Sequence, residues 1–114
     1  MTVQAITRDE VKKSIDGGSA VVVEALPASY YEKEHLPGAL NLPHDEVDDL
    51  APTLLPDKQA KIIVYCSNVV CQNSGIAAKR LSDLGYENVY KYPEGKEDWV
   101  LAGLPTESGA AVKK

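Results

Sequence analysis

The sequence lacks most of the features that distinguish membrane, secreted or nucleic-acid-binding proteins from ordinary globular domains. It contains two cysteines, one tryptophan, one methionine and no phenylalanine. No apolar run approaches the roughly 18 residues of a membrane span, and no secretory pattern opens the chain. We therefore expect a cytoplasmic protein. Lys and Arg total 12 against 17 Asp and Glu. The resulting net charge of −5 argues against nucleic acid or an anionic membrane as a partner.

The residues that are present fit one domain. A chain of 114 residues can bury a single core, and we find neither an internal repeat nor an interdomain linker. We predict one domain over residues 1–105 and a flexible C-terminal tail over residues 106–114, because that end is small and polar. In a reducing compartment, two cysteines are more often catalytic, redox-active or metal-binding than structural.

Strand and helix patterns alternate along the chain. The β-branched runs Ala20–Ala25 and Ile62–Tyr65 predict buried strands, and a capping box from Thr7 to Glu10 predicts the start of a helix. The predicted helices cover 8–16, 28–33, 44–50, 75–84 and 97–102, and the predicted strands cover 20–25, 39–42, 62–65 and 88–92. This alternation predicts an α/β fold with a parallel sheet covered on both faces. Ligands bind such sheets beyond the carboxyl ends of the strands.

Cys66 lies at such a strand end, directly before a helix pattern. The segment Cys66–Ser74 reads CSNVVCQNS and has neither proline nor glycine. A thiol in a strand-to-helix loop faces backbone N–H groups that favour an anion, so we expect a lowered pKa. The same groups could receive an anionic sulfur or phosphorus group. The sequence therefore predicts nucleophilic cysteine chemistry on an oxyanion or a sulfane sulfur.

Each candidate residue also has a plainer interpretation. Cys66 could be an inert buried thiol, although its position favours a nucleophile. Cys71 could be a small apolar residue that fills the base of the loop. We expect His35 to bond to the backbone beside the Pro37-Gly38 turn, and His44 to lie on the surface. The two cysteines and two histidines are zinc-ligand types, but the cysteine spacing is a poor zinc knuckle, so we predict no metal.

Motifs over most of the chain resemble the single-domain rhodaneses, a sulfurtransferase family. The matching segments are Val21–Pro43, Ile62–Tyr90 and Glu94–Pro105, and the most specific block outside the active loop is HLPGA at His35–Ala39. The resemblance covers about Ile6–Leu104. It implies a rhodanese-like α/β fold, with a central, mostly parallel sheet of about five strands and helices on both faces.

The resemblance also implies a mechanism. Cys66 would attack the outer sulfur of thiosulfate, a polysulfide or a persulfide, hold it as a persulfide, and pass it to cyanide or a thiol. The implied partners are a small sulfur-donor anion and a thiol acceptor, with a thioredoxin-like or sulfur-relay protein as a candidate acceptor. No cofactor is implied. The loop residues that would stabilise the thiolate, the persulfide and the bound anion are Ser67, Asn68, Val69, Val70, Gln72, Asn73 and Ser74.

The second cysteine matches a narrower pattern. Some rhodanese-like proteins have a Cys-x-x-x-x-Cys-x-x-Ser loop, and Cys66, Cys71 and Ser74 have that spacing. In such a loop Cys71 is a candidate resolving thiol, which would attack the Cys66 persulfide and leave a disulfide. The packing role remains the alternative.

The chain departs from the rhodanese pattern around the loop. The loop is two residues longer than usual and contains no Arg, Lys or His, so thiosulfate would meet backbone dipoles and more distant cations. Gln72 stands where the phosphatase relatives have a phosphate-clamping arginine. Glu24 and Leu26 replace the Asp and Arg that usually form a supporting ion pair. Glu94-Gly95 replaces Gly-Gly and brings a carboxylate near the loop.

Three functional hypotheses follow from these features. The first is a sulfurtransferase that works through a Cys66 persulfide. The second is a sulfur carrier or redox module in which Cys71 unloads the sulfur. The third is a non-catalytic rhodanese-like binding domain whose altered loop serves a partner.

Overall fold

Five parallel strands form one central sheet in this computed structural model, which describes residues 3–68 and 70–109. The order is β1-β5-β4-β2-β3, and every neighbouring pair is parallel. The strands are β1 (Gln4–Ala5), β2 (Val21–Glu24), β3 (Leu40–Asn41), β4 (Lys61–Tyr65) and β5 (Asn88–Tyr92). The helices are α1 (Arg8–Gly17), α2 (Ala28–Lys33), α3 (Val47–Leu54), α4 (Asn73–Asp83) and α5 (Gly95–Leu101). Within the described part of the chain, none of these helices could span a bilayer.

Two hydrophobic cores lie on opposite faces of the sheet. On one face, Val23 and Val64 pack with α3 and α4. On the other, Val22 and Ile63 pack with residues of α1, α2 and α5. Successive side chains of a strand point to opposite faces, so β2 and β4 must be apolar on both sides when helices cover both. The uninterrupted β-branched runs are therefore the expected sequence of these strands, and the predicted α/β sheet with two helical layers is confirmed.

Element boundaries differ from the prediction where local patterns are short. Strand β1 was not predicted, because two exposed residues have no periodicity, and it forms only by pairing with β5. Helix α3 begins at Val47 rather than at residue 44, and it runs past the predicted end at residue 50 to Leu54. Helix α4 begins at Asn73, two residues before the predicted start.

The chain after α5 makes hydrogen bonds to the body of the domain as far as residue 109, within the segment 106–114 for which a flexible tail is predicted. The backbone of Glu107 exchanges two hydrogen bonds with that of His35, each 2.8 Å long. The Gly109 N–H donates to the Glu32 carbonyl, and the Gly38 N–H donates to the Glu107 side chain. Backbone pairing of this kind holds residues 106–109 against the loop that follows α2. Residues 110–114 lie outside the described part of the chain.

Candidate functional site

The Cys66 thiol lies at the carboxyl end of β4, in the middle of the sheet, and is buried. Its Sγ is 3.4 Å from the Ser74 hydroxyl oxygen and 3.4 Å from the Cys71 carbonyl oxygen. Ser74 is the second residue of α4 and is also buried. The thiol therefore lies beneath the first turn of α4, between strand and helix, where the sequence placed it.

The cysteine loop curls back on itself through Asn68. The Asn68 side-chain oxygen accepts from the Val70 N–H at 3.2 Å, and its carbonyl accepts from the Cys71 N–H at 3.2 Å. An asparagine side chain that bonds to the backbone two residues on is a common way to close a turn. The turn returns Cys71 to the neighbourhood of Cys66, and both cysteines are free thiols.

The remaining predicted loop residues have different positions. Val70 is 80% exposed and faces solvent. Gln72 stands at the helix-cap position, but its side chain makes no capping bond, and Asn73 opens α4. Backbone groups of Ser67 and Asn73 lie beside the Cys71 thiol. Val69 lies outside the described residues.

The two thiols differ in acidity, in the opposite sense to our expectation for Cys66. Burial raises the pKa of the Cys66 thiol and Cys71 raises it further, although the Ser74 hydroxyl and N–H work in the other direction. Burial also raises the pKa of Cys71, but hydrogen bonds from Cys66, Ser67 and Asn73 outweigh it, so the pKa is lowered. The hydrogen bonds of Ser67 and Asn73 thus act on the Cys71 thiol, whereas those of Ser74 act on the Cys66 thiol against its burial.

A buried acidic residue lies next to the strand that leads into the cysteine loop. Glu24 ends β2, is fully buried, and is the register partner of Tyr65 in β4. Its carboxylate accepts from the Tyr65 hydroxyl at 2.7 Å and from Lys96 Nζ at 3.1 and 3.2 Å. Burial raises the pKa of Glu24, whereas Tyr65 and Lys96 oppose that rise. Leu26 cannot pair with Glu24, so Glu24 forms its ion pair with Lys96 of α5 instead. No sequence pattern indicated this partner.

The first turn of α5 holds the cysteine loop from above. The Lys96 N–H donates to the Cys66 carbonyl and the Glu97 N–H to the Ser67 carbonyl, each at 2.8 Å. Gly95 has a φ of +69°, and a side-chain carbon there would lie 2.5 Å from the Cys66 carbonyl oxygen. Only glycine allows this close approach of two backbones. The neighbouring Glu94 side chain is exposed.

A cation that the sequence did not indicate lies behind the first turn of α4. Lys91 pairs with Val64 in the sheet, and its Nζ would be 3.5 Å from a side-chain carbon at Gly75. Gly75 follows Ser74 in the chain. The loop has no cation of its own, so Lys91 adds positive charge at the N-terminal turn of α4, which itself favours anions. Only the strand register reveals this proximity.

The histidines lie apart from the thiols. His35 Nδ1 is 2.7 Å from the Tyr31 carbonyl oxygen, and its ring stacks on Tyr31 with centroids 3.8 Å apart, which confirms the backbone-bonded role. His44 is half-buried, and its Nδ1 has no hydrogen-bond partner among the described residues. Over residues 3–68 and 70–109, no group of three or more His, Cys, Asp or Glu is placed to hold a metal ion.

Curated proteins similar to this chain include a transcriptional regulator and sulfurtransferases. The HTH-type transcriptional regulator Rv0324 of Mycobacterium tuberculosis is 35% identical over 108 residues, which is 95% of this chain and 46% of the regulator. Thiosulfate sulfurtransferase PspE of Escherichia coli is 41% identical over 59 residues, 52% of this chain and 55% of that protein. Thiosulfate sulfurtransferase GlpE of Actinobacillus succinogenes is 29% identical over 113 residues, covering 99% of this chain and 98% of the relative. The chain thus spans about half the length of the first two.

Solved structures and the family profile agree with one another. The rhodanese-like domain of the Anabaena protein Alr3790, solved by NMR in solution, has a TM-score of 0.80 at 27% identity, covering 95% of this chain and 80% of that one. The profile of the Rhodanese-like domain family matches residues 7–102. That span runs from the cap of α1 to the end of α5 and includes the cysteine loop. This chain therefore belongs to the Rhodanese-like domain family.

Proposed function

We propose that this protein is a sulfurtransferase that carries a sulfane sulfur on Cys66. The observation on which the proposal rests is the position of this thiol. Its Sγ is buried at the carboxyl end of β4, beneath the first turn of α4, and 3.4 Å from the Ser74 hydroxyl. Ligands of parallel α/β sheets bind at this edge. The names of the sulfurtransferases PspE and GlpE support the same chemistry.

The proposed reaction has two displacements. The Cys66 thiolate attacks the outer sulfur of thiosulfate, so that a sulfur–sulfur bond forms to Cys66 and the bond to the leaving sulfite breaks. A thiolate acceptor then attacks the outer sulfur of the persulfide, becomes a persulfide itself, and releases the Cys66 thiolate. Polysulfides and protein persulfides are equivalent donors with different leaving groups. Each step is a nucleophilic substitution at sulfur.

The loop residues give this reaction its electrostatics. The Ser74 N–H and hydroxyl, in the first turn of α4, oppose the rise in the pKa of Cys66 that burial causes. The loop contains no Arg, Lys or His, so a dianion such as thiosulfate relies on the helix N-terminus and on Lys91 behind it. A persulfide group carries at most one negative charge and so has less charge to neutralise, and we expect persulfide donors to react faster than thiosulfate.

Cys71 supports a second function, as the thiol that unloads the sulfur. It lies beside Cys66 on the curled loop, and hydrogen bonds lower its pKa. Attack by the Cys71 thiolate on Cys66 Sγ would form a disulfide and release hydrosulfide from the persulfide. A dithiol reductant, such as a thioredoxin-like protein, would then restore both thiols. The protein would work as a sulfur carrier or redox module in a reducing cytoplasm.

Mass spectrometry of the intact reduced protein tests the persulfide. After incubation with thiosulfate or polysulfide, we expect a mass gain of one sulfur atom in Cys71→Ser and no gain in Cys66→Ser. The wild type should show the same gain, or the loss of two hydrogens where Cys71 has resolved the persulfide into a disulfide. Absence of a gain in Cys71→Ser with every donor would contradict the sulfurtransferase proposal. It would favour a non-catalytic binding domain, as would a Cys66 that does not react with iodoacetamide in the folded protein.

The Cys71→Ser variant separates the two sulfur functions. If Cys71 resolves the persulfide, the wild type releases hydrosulfide and forms an internal disulfide, whereas the variant keeps its persulfide until an external thiol arrives. If Cys71 only packs, wild type and variant turn over at the same rate with a thiol acceptor. Ellman titration of free thiols after a single turnover distinguishes these outcomes.

A further inference from the structure

The strongest unassigned feature is the buried ion pair between Glu24 and Lys96. Glu24 is completely buried, and the Lys96 side chain is 13% exposed. Burying two charges has a large desolvation cost, which is offset only when the remaining hydrogen-bonding groups are also satisfied. An ion pair of this kind next to a reactive loop therefore requires an explanation other than general stability.

Lys96 meets this condition through four oxygen atoms of three residues. Its Nζ is 3.1 and 3.2 Å from the two Glu24 carboxylate oxygens, 3.1 Å from the Tyr30 carbonyl oxygen and 2.6 Å from that of Glu34. The ammonium group has only three protons, so all of its donors are used. The side chain consequently fixes the start of α5 to the end of β2 and to the end of α2.

Glu24 is fixed just as firmly on its other side. The Tyr65 hydroxyl donates to Glu24 at 2.7 Å and accepts from the Leu36 N–H at 3.1 Å. Tyr65 is the residue before Cys66. The chain of contacts therefore runs from Lys96 through Glu24 to Tyr65, which is bonded directly to Cys66 in the chain.

Lys96 also touches the nucleophile directly, through its own backbone. Its N–H donates to the Cys66 carbonyl at 2.8 Å, while Gly95 packs against the same carbonyl. The Lys96 N–H thus binds the main chain of Cys66, and Glu24 binds the side chain of the same lysine. A side chain with three anchors restricts where that N–H can be.

We propose that Lys96 is a positioning residue for Cys66, held in place by Glu24. This inference rests on the proposed function, because the value of a fixed Cys66 lies in its attack on sulfur. The Lys96 side chain fixes the first turn of α5, and that turn fixes the Cys66 and Ser67 carbonyls and so the entry to the loop. In the rhodanese pattern the supporting ion pair lies within β2 and the loop after it. Here Leu26 stands in place of the arginine and cannot pair with Glu24, so Lys96 of α5 takes that role.

Hydrogen exchange at two amides tests the anchoring without any reaction. In Lys96→Met, we expect the amides of residues 96 and 97 to lose protection by about tenfold, because the turn that contains them is released. Lys79→Met is the matched control, since it removes the lysine of an exposed ion pair with Asp83. Exchange in β4 serves as the internal reference. Protection at 96 and 97 that stays within about twofold of the wild type would overturn the proposal.

Sulfur transfer kinetics test whether the anchoring matters for chemistry. We expect kcat to fall by about a hundredfold in Lys96→Met, with little change in KM, because small misplacements of a nucleophile have effects of that size. The double variant Glu24→Gln/Lys96→Met removes both charges and leaves no buried carboxylate unpaired. A purely stabilising pair would be relieved by this change, so a double variant with wild-type kcat would overturn the proposal.

The double variant also keeps the test decisive if the single variant fails to fold. We expect it to fold, to show fast exchange at residues 96 and 97, and to transfer sulfur slowly. If the wild type forms no persulfide with any donor, the proposed function fails, but the exchange measurement still decides whether Lys96 anchors the Cys66 segment. The two failures are therefore distinguishable.

Discussion

Replacement of Gly95 by alanine tests the contact between α5 and the cysteine loop. Gly95 has a φ of +69°, and its added Cβ would be 2.5 Å from the Cys66 carbonyl oxygen, 3.0 Å from the Ser67 carbonyl carbon and 3.1 Å from the Asn68 nitrogen. All three neighbours are backbone atoms, so no flexible side chain can move aside. The loop or the helix start must shift instead.

The expected loss of stability has two parts. A left-handed backbone costs alanine about 1–2 kcal/mol. The shift also breaks the hydrogen bond from the Lys96 N–H to the Cys66 carbonyl, which is worth about 0.5–1.5 kcal/mol, and strains the loop by a similar amount. We therefore expect Gly95→Ala to lower the free energy of unfolding by about 2–5 kcal/mol. For a domain of this size that corresponds to a fall in Tm of about 8–20 °C.

Gly18→Ala is the matched control for backbone strain alone. Gly18 has a φ of +64°, ends α1, and has no atom within 4 Å of an added Cβ. It should lose only the left-handed penalty of about 1–2 kcal/mol. Thermal unfolding followed by circular dichroism measures both variants, and iodoacetamide labelling of Cys66 reports on the loop. Equal losses in the two variants, with unchanged labelling, would refute the argument that α5 packs on the loop backbone.

Three further predictions concern acidity, ion pairing and core hydrogen bonds. Ser74→Ala should move the alkylation of Cys66 to higher pH, because burial already raises the pKa of the thiol and the Ser74 hydroxyl counteracts that rise; a midpoint that stays or falls would contradict this. Lys96→Met should destabilise the protein by about 3–5 kcal/mol in urea titrations. Burial raises the pKa of Glu24 above its ordinary value. The Lys96→Met variant should therefore be least destabilised at low pH, where Glu24 is protonated, and should lose stability as pH rises through the folded pKa of Glu24. A destabilisation that grows on acidification would argue against the pairing of Lys96 with Glu24. Tyr86→Phe should lower the free energy of unfolding by about 0.5–1.5 kcal/mol, because the Tyr86 hydroxyl bonds to two carbonyls at the end of α3. The labelling rate of Cys66 should stay unchanged. An altered rate would show that this core region is coupled to the cysteine loop.

Local sequence was a good guide where one property decided the outcome. The run before Cys66 indicated a buried strand, because it is short and β-branched and an uninterrupted apolar run suits a strand that is covered on both faces. A helix pattern followed it at short range, so Cys66 had to lie at the strand-to-helix turn, and the structure has it there. The backbone-bonded role of His35 beside the Pro37-Gly38 turn was equally local.

Local sequence was a poor guide to acidity within the loop. The expectation of an acidic Cys66 came from the general effect of a helix N-terminus. Acidity depends on which amide N–H groups face which sulfur and on how deeply each sulfur is buried. The turn at Asn68 brings the amides of Ser67 and Asn73 to Cys71 and leaves Cys66 buried.

Residues close together in the chain were enough to predict the alternation of strands and helices, the two-sided sheet and the place of Cys66. The partner of Glu24, the close approach of Gly95 and the docking of residues 106–109 follow only from how the elements pack in three dimensions. Glu24 and Lys96 are 72 positions apart, and the chain must fold before a buried carboxylate can select one lysine among several. Contacts over such separations leave no periodic signal, since they depend on how complete elements pack.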